Sequence, residues 1–392
     1  MTGAAKARPL IGRQNGGCME IYVHIPFCVK KCDYCDFLSA PGGADQQAMY
    51  VQALQKEISA VQEGKERSVS SIFFGGGTPS LLNADLTERI LDKIKEKFRV
   101  EKDAEITIET NPGTLGKPGT EHQKLKTYLD AGINRLSLGL QSPDDAELRM
   151  LGRIHTFAEF LESYQAAREA GFENINIDLM SAIPEQTCEE WIRNLRTAAK
   201  LKPEHISAYS LIIEEGTPFA ERCLKLPDED EEYQMYEDTA AILGEYGYHQ
   251  YEISNYAKEG RECRHNIGYW ERTDYLGFGL GAASLWGNRR FSNTRNMDEY
   301  LRFSDNPEKI RIFEPALTKE DEMAEFMFLG LRMTKGVSAE RFRENFGRSI
   351  EDVYGNVLDK YTGLGLLEKK DGRIFLTRQG IHVSNVVMAE FL

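Results

Sequence analysis

Segments typical of strands and of amphipathic helices alternate along the first half of the chain. Short runs rich in β-branched and aromatic residues predict strands at 19–27, 71–74, 105–109, 135–140, 174–180 and 205–213. Between them, apolar residues spaced three to four positions apart predict helices at 45–62, 86–98, 121–131, 157–170 and 189–201. Units that repeat strand then helix predict an α/β fold with a parallel sheet. Six such units are too few for a closed eight-unit barrel.

The regular alternation stops near residue 215. Residues 216–312 combine loops with a predicted helix at 233–246 and a short extended run, and we treat them as an extension of the first domain. The segment 365–376 predicts a hairpin that turns at Asp371-Gly372. Helices before and after this hairpin give residues 313–392 the outline of a small α+β, winged-helix-like domain. Residues 1–17 are rich in Gly and Ala and predict a flexible tail, which leaves 18–215 for the α/β domain.

Composition narrows the class of protein. With 392 residues, of which 41% are hydrophobic, the chain is long enough to bury a large core. A net charge of −14 argues against non-specific binding of nucleic acid, which depends on Lys and Arg that neutralise phosphates. We find no run of about 18 apolar residues that predicts a transmembrane helix, and no signal peptide. Seven cysteines, three of them clustered, fit a metal site in a reducing cytoplasm better than a disulfide framework.

The clustered cysteines are Cys28, Cys32 and Cys35, directly after the first predicted strand. Thiolates bind soft metals, and three of them in one short loop can bind three irons of a four-iron cluster, which leaves one iron open to a small molecule. An all-cysteine zinc site needs four ligands, and the next cysteine along the chain is Cys188. The ordinary alternatives are an apolar turn with reduced thiols and an incomplete zinc site, although Lys30 and its neighbours make a poor apolar turn.

Polar or glycine-rich residues also follow other predicted strands. They are Gly75-Gly76-Gly77-Thr78-Pro79, Glu109, Gln141 with Arg153 downstream, and Asp178. Each alone has an ordinary explanation, as a turn, a capping carboxylate, a surface cation or a structural carboxylate. Because the carboxyl ends of parallel strands meet at one edge of a sheet, we expect these residues to lie beside the cysteines in a binding or active site.

The cysteine spacing, with Tyr34 before the last cysteine, resembles the cluster loop of the radical S-adenosylmethionine (SAM) proteins. The longer segments 22–28 and 35–37 resemble more narrowly the group that contains the coproporphyrinogen dehydrogenases and the HemW haem chaperones. The resemblance implies an open (β/α)6 partial barrel, a [4Fe-4S] cluster on Cys28, Cys32 and Cys35, and SAM beside the cluster. It implies SAM contacts at Tyr22, Gly76, Gly77, Thr78, Glu109, Gln141, Arg153 and Asp178.

A second motif, His265-Asn266-Ile267-Gly268-Tyr269-Trp270, lies in the extension. Imidazole is a common axial ligand of haem iron, and aromatic rings offer flat faces to a porphyrin. Taken alone, the string also fits a strand entry with a capping Asn and a core Trp. The string resembles a motif of HemW proteins that is associated with haem binding. This resemblance implies haem binding at His265, with Cys263 as a second candidate ligand.

Two functions follow from the resemblance, and Phe37 separates them. The coproporphyrinogen dehydrogenases have a fourth cysteine at this position, and residues 1–17 are short compared with their N-terminal segment. Both differences favour a haem chaperone, which binds haem and passes it to an acceptor protein, with a membrane-associated acceptor as one option. The alternative is an oxygen-independent coproporphyrinogen III dehydrogenase, which uses a SAM-derived radical to convert two propionates to vinyl groups.

Overall fold

The computed structural model describes residues 17–115 and 121–392, so the predicted flexible tail at 1–17 lies outside the described residues except for Gly17. Strands and helices alternate up to Ser210. In chain order the elements are β1 (Met19–Ile25), α1 (Ala44–Ala60), β2 (Ser68–Gly76), α2 (Ala84–Lys97), β3 (Arg99–Thr110), α3 (Glu121–Ala131), β4 (Arg135–Gln141), α4 (Asp145–Met150), α5 (Phe157–Ala170), β5 (Ile175–Ser181), α6 (Cys188–Lys200) and β6 (His205–Ser210).

These six strands pair in chain order, and every pair is parallel. Within the described residues β1 and β6 do not pair with each other, so the barrel stays open. The arrangement confirms the predicted α/β fold with a (β/α)6 partial barrel. Most strand ends differ from the predicted bounds by a few residues, and the largest difference is that β3 begins at Arg99 rather than at 105. Its first residues are polar and lack apolar alternation, but they pair with Ser68 and Val69 of β2.

Side-chain alternation along β1 separates the core from the barrel interior. Ile21, Val23 and Ile25 are fully buried in the main hydrophobic core. Because successive residues of a strand point to opposite faces, Tyr22 and His24 point into the barrel. The same alternation in the neighbouring strands gives the interior a polar lining.

The extension continues the barrel sheet on both sides. Its elements are α7 (Glu229–Glu245), β7 (His249–Glu252), β8 (Asn255–Ala257), α8 (Arg264–Trp270), β9 (Tyr275–Phe278), β10 (Ala283–Trp286), β11 (Arg289–Asn293), α9 (Met297–Phe303), α10 (Pro307–Ile310) and β12 (Arg311–Phe313). β9 pairs in parallel with β1 and leads to β10, β11 and β12, whereas β8 and β7 follow β6 at the other side. No break in the hydrogen-bonded sheet therefore falls at the predicted boundary near 215.

The C-terminal residues form a smaller α+β unit with its own hydrophobic core. Its elements are α11 (Lys319–Gly330), β13 (Val337–Ser338), α12 (Ala339–Phe346), α13 (Ile350–Gly363), β14 (Leu367–Lys370), β15 (Arg373–Leu376), α14 (Arg378–His382) and α15 (Ser384–Ala389). The hairpin of β14 and β15 turns at Asp371 and Gly372, whose φ angles of 51° and 71° suit a two-residue hairpin loop. This unit confirms the predicted winged-helix-like outline. Among the helices of residues 17–115 and 121–392, none has the length and apolar character needed to cross a membrane.

Charged side chains connect the C-terminal unit to the end of α8. The carboxylate of Glu271 accepts hydrogen bonds from Lys335 at 2.6 Å and from Arg341 at 3.2 Å. The guanidinium of Arg332 lies 4.3 Å from the centroid of the Trp270 ring. Since the first turn of α8 packs against β2 and its end makes these contacts, α8 links the two parts of the fold.

A buried carboxylate joins α1 to the extension. Glu57 is 2% exposed and accepts hydrogen bonds from the Gly279 amide at 2.9 Å, the Asn293 amide at 2.6 Å and the Tyr300 hydroxyl at 2.6 Å. Burial raises the pKa of Glu57 from 4.5 to about 7, although its hydrogen bonds oppose the rise. The folded chain therefore binds this proton more tightly than the unfolded chain does between those two pH values.

Glu57→Ala should lower the free energy of unfolding by about 3 kcal/mol, because three buried donors lose their acceptor and each loss costs roughly 1–3 kcal/mol. The stabilising effect of proton binding is fully present below pH 4.5 and is lost as the pH rises to about 7. Urea denaturation should thus show a larger deficit at pH 5 than at pH 8. Exposed Glu66→Ala is the control, with an expected change below about 0.5 kcal/mol. A deficit that grows with pH would contradict the role assigned to Glu57.

Candidate functional site

A cavity of about 360 Å³ lies at the carboxyl ends of the barrel strands, and Cys28, Cys32 and Cys35 all line it. The loop that carries them is fixed by main-chain hydrogen bonds from Cys28 N to Ala40 O at 3.1 Å and from Asp33 N to Leu151 O at 3.2 Å. The three thiols are half-buried and free. The first strand thus delivers the cysteines to the place predicted from the sequence.

The spacing of these thiols bears on what they can bind. Within residues 17–115 and 121–392 no three His, Cys, Asp or Glu side chains are grouped closely enough to hold a single metal ion. In an iron–sulfur cluster each cysteine binds a different iron, so the thiols need not meet at one point. Two donors face the sulfurs: the Thr78 hydroxyl lies 3.3 Å from Cys28 Sγ, and Arg153 Nη1 lies 3.7 Å from Cys32 Sγ. The donor set therefore fits a four-iron cluster better than a single zinc ion.

The glycine-rich segment packs directly on the base of the cysteine loop. Gly77 N donates to Ile25 O at 2.9 Å, and Thr78 N donates to Phe27 O at 2.8 Å. A Cβ atom at Gly76 would lie 2.6 Å from the His24 ring, and one at Gly77 would lie 2.7 Å from Phe27 O. Glycine is therefore required here by the packing of the protein on itself. The same residues also present their main chain to the cavity.

Two half-buried carboxylates, Glu109 and Asp178, give the cavity a preference for a cation. Glu109 accepts a hydrogen bond from Gly76 N at 3.1 Å, and burial together with the charge of Asp178 raises the pKa of Glu109 to about 8. Asp178 accepts hydrogen bonds from Asn176 at 2.7 Å and from Ser137 at 3.2 Å, and burial raises its pKa. Neither carboxylate forms an ion pair with any described residue. A bound cation would supply the missing charge, as the sulfonium and ammonium groups of SAM can.

Arg153 and Gln141 complete the predicted set of cavity residues. Arg153 Nη2 donates to Asn111 Oδ1 at 2.8 Å and to Gly139 O at 2.6 Å, whereas its buried Nε atom has no partner. Gln141 has a φ of 70° at an irregularity between β4 and β5, and its side chain accepts a hydrogen bond from Tyr209 at 2.9 Å. A guanidinium with an unused donor suits a carboxylate such as that of SAM, and unusual backbone conformation is common at ligand sites.

Tyr22 lies behind the cavity wall rather than on its surface. Its hydroxyl donates to His24 Nδ1 at 3.0 Å, and its ring packs parallel to that of Phe73 with 6.4 Å between the centroids. A Cβ atom at Gly75 would lie 2.9 Å from the Tyr22 ring, so Tyr22 supports the glycine-rich segment. Direct SAM contact at this position stays a prediction.

The His265 motif forms a helix, α8, and the imidazole does not reach the cavity surface. His265 is 1% exposed, with Nδ1 hydrogen-bonded to Ser71 at 2.8 Å and Nε2 to Tyr269 at 3.0 Å. Burial lowers the pKa of His265 to about 3, so the ring stays neutral. Asn266 lines the cavity instead. The Cys263 thiol is buried as well and donates to Glu105 at 3.4 Å.

The sequence did not reveal the polar residues that hold Asp178 in place. Asn176 donates to Asp178 and shares its own carbonyl oxygen with His205 at 2.6 Å and with Ser207 at 3.2 Å. His205 in turn is hydrogen-bonded to Tyr251 at 2.9 Å. Strand alternation is one sequence signal for Asn176. This residue lies two positions before Asp178, and residues two positions apart in a strand share a face. Arg135, which is 2% exposed and lines the same cavity, was missed for lack of a recognisable motif.

Comparisons with known proteins agree with this arrangement. Residues 22–198 match the radical SAM superfamily, and residues 317–383 match the HemN C-terminal domain. The haem chaperone HemW of Bacillus subtilis is 37% identical over 95% of this chain and 98% of its own length. HemW of Haemophilus influenzae is 40% identical over 86% of this chain and 89% of its own.

The structure of coproporphyrinogen III oxidase (HemN) from Escherichia coli superimposes with a TM-score of 0.83 at 24% identity, over 97% of this chain and 91% of that one. At this identity the superposition establishes the fold alone. The HemW relatives, in contrast, match at higher identity over nearly their full length. From these matches and from the cysteine loop that lines the cavity, the chain belongs to the HemW family of radical SAM proteins.

Proposed function

We propose that this protein is a haem chaperone, which binds haem and transfers it to an acceptor protein while it carries a [4Fe-4S] cluster and SAM. One observation supports the cluster and SAM in this proposal most strongly: the three clustered cysteines share a single cavity with Glu109, Gln141, Arg153 and Asp178. Relatives of nearly the same length bear the name haem chaperone. When bound, a cluster of this type supplies single electrons and one iron with an open coordination position.

The cavity residues divide into two groups by what they would hold. Cys28, Cys32 and Cys35 would bind the cluster. Glu109 and Asp178 would bind the cationic and hydroxyl groups of SAM, and Arg153 its carboxylate. Gly76, Gly77, Thr78 and Gln141 would complete the contacts from the cavity wall.

The haem ligand is a separate question from the cluster. His265 as a ligand stays a prediction, because binding there requires its hydrogen bonds to Ser71 and Tyr269 to break. Phe37, in place of a fourth cysteine, favours the chaperone over the dehydrogenase. The proposal places the protein in the cytoplasm, where its seven free cysteines stay reduced, and includes a membrane-associated protein among the acceptors.

Anaerobically reconstituted protein should contain about four irons per chain, as expected for one [4Fe-4S] cluster. The triple variant Cys28→Ala, Cys32→Ala, Cys35→Ala should lose the iron and the visible absorption of the cluster. Cys188→Ala, a cysteine outside the cavity, is the matched control and should keep both. Full iron content in the triple variant would exclude this loop as the cluster site.

Asp178→Ala should weaken SAM binding by roughly 1–3 kcal/mol, because polar groups of the ligand lose their buried partner. Isothermal titration calorimetry on the cluster-loaded protein measures the difference. Exposed Asp130→Ala should leave the dissociation constant unchanged. Iron content must equal that of the wild type in both variants, and an unaltered affinity of Asp178→Ala would remove this residue from the SAM site.

Haem should bind to the triple cysteine variant with the same one-to-one stoichiometry as to the wild type, because the candidate haem ligands lie outside the cysteine loop. Absorption titration with haem, followed at the Soret band, measures the stoichiometry. Loss of haem binding in the folded triple variant would contradict a haem site that is independent of the cysteine loop. A wild-type protein that binds no haem but converts coproporphyrinogen would favour the dehydrogenase.

A further inference from the structure

A second cavity, of about 510 Å³, lies on the other side of the segment that leaves the cysteine loop. We call it the thioether cavity after its two methionines. It lies between residues 38–41, the start of α1 and the start of α9. Its walls are mostly apolar: Phe27, Leu38, Met49, Leu280, Met297 and Leu301 contribute to them. Its volume is within the range of about 300–1,000 Å³ that ligand cavities occupy.

Two sulfur atoms and one cation stand out in this apolar lining. Met49, on α1, is 55% exposed and lines the cavity from its outer side. Met297 begins α9, which packs against α1. Arg295 also lines the cavity and has no hydrogen-bond or ion-pair partner among residues 17–115 and 121–392. The acidic side chain of Asp298 is on the same rim.

These features specify a ligand of a particular chemistry. Apolar walls suit a large flat hydrophobic molecule, and a free guanidinium suits a carboxylate. Thioether sulfurs are axial ligands of haem iron in other proteins. Haem combines all three requirements, since it has an apolar macrocycle, propionate groups and an iron that accepts sulfur ligands.

We propose that the thioether cavity is the haem site, with Met49 and Met297 as the iron ligands and Arg295 as the propionate partner. The inference rests on the proposed haem-binding function and assigns it a location. The polar cavity beside the cysteines is lined by charged and polar groups, so it suits SAM rather than a porphyrin. His265 has no free ring nitrogen in this conformation.

The location also explains how haem and cluster can influence each other. Ala40, in the wall of the thioether cavity, accepts a hydrogen bond from Cys28 N at 3.1 Å and donates one to Pro26 O at 2.9 Å. Leu38 O, in the same wall, accepts one from His24 Nε2 at 2.8 Å. A ligand that shifts this wall moves the main chain of the first cluster cysteine. Haem occupancy and cluster geometry are thereby coupled through one shared segment.

Haem titration of single variants tests the assignment. Arg295→Glu should weaken haem binding about tenfold, because it replaces a charge-assisted hydrogen bond with repulsion. The double variant Met49→Leu, Met297→Leu should change the absorption spectrum of bound haem, since the iron loses its sulfur ligands. Arg302→Glu, on the exposed side of α9, and Met388→Leu, in the C-terminal unit, are matched controls and should behave like the wild type.

The same haem titration of the variant His265→Ala tests the competing assignment, in which His265 of α8 binds the haem. Unaltered haem binding in this variant, together with the losses above, supports the thioether cavity. Loss of haem binding in His265→Ala with normal binding in the cavity variants overturns the proposal in favour of α8. Normal binding in every variant overturns it too. If the wild-type protein binds no haem, the proposed haem-binding function itself is wrong. The haem titration of the wild type identifies that case. Circular dichroism confirms that each variant is folded.

Discussion

Main-chain hydrogen bonds beyond the ends of β1 and β2 hold the functional part of this protein together. The parallel pairing of these strands continues past Ile25, where Gly77 and Thr78 donate to the last residues before Cys28. Ala40 bonds to the same stretch from the other side. The cysteine loop is therefore fixed at its base by two separate segments. Its geometry does not depend on the cysteines finding a metal first, because the strands that deliver it are part of the central sheet.

The interior of the barrel is polar, and this composition has an energetic cost. Burial raises the pKa values of Glu109 and Asp178, which means that their charged forms are less stable than they would be in water. Arg135 is buried nearby, and its positive charge opposes both of those rises. Hydrophobic side chains at these positions would give a more stable barrel. A bound ligand with complementary charge stabilises the charged forms of these carboxylates. The ligand-free barrel is therefore less stable than an apolar one would be, but it can bind such a ligand.

Local sequence predicted most of the fold, and most of the predicted site residues line the cavity beside the cysteines. The predicted strands and the cysteine loop follow from short-range patterns, and strand ends correctly placed Glu109 and Asp178 beside the cysteines. Residues whose roles arise from long-range contacts were not predictable in this way. His265 lies in a helix because α8 fits against Ser71 of β2, a contact between residues almost two hundred positions apart. Tyr22 supports Gly75 from behind the cavity wall, a contact that the strand pattern did not predict, and SAM contact at Tyr22 stays a prediction.

The contacts between α8 and the C-terminal unit have a consequence for how firmly the two parts of the fold are joined. Lys335 and Arg341 hold Glu271 at the end of the helix whose first turn contains His265. Any conformation in which the C-terminal unit moves away from α8 has to break those exposed ion pairs. Such pairs are screened by dissolved ions over about 10 Å at 0.1 M ionic strength. The population of an open form would therefore rise with salt concentration, and an acidic or basic partner protein that competes for the same charges would have the same effect.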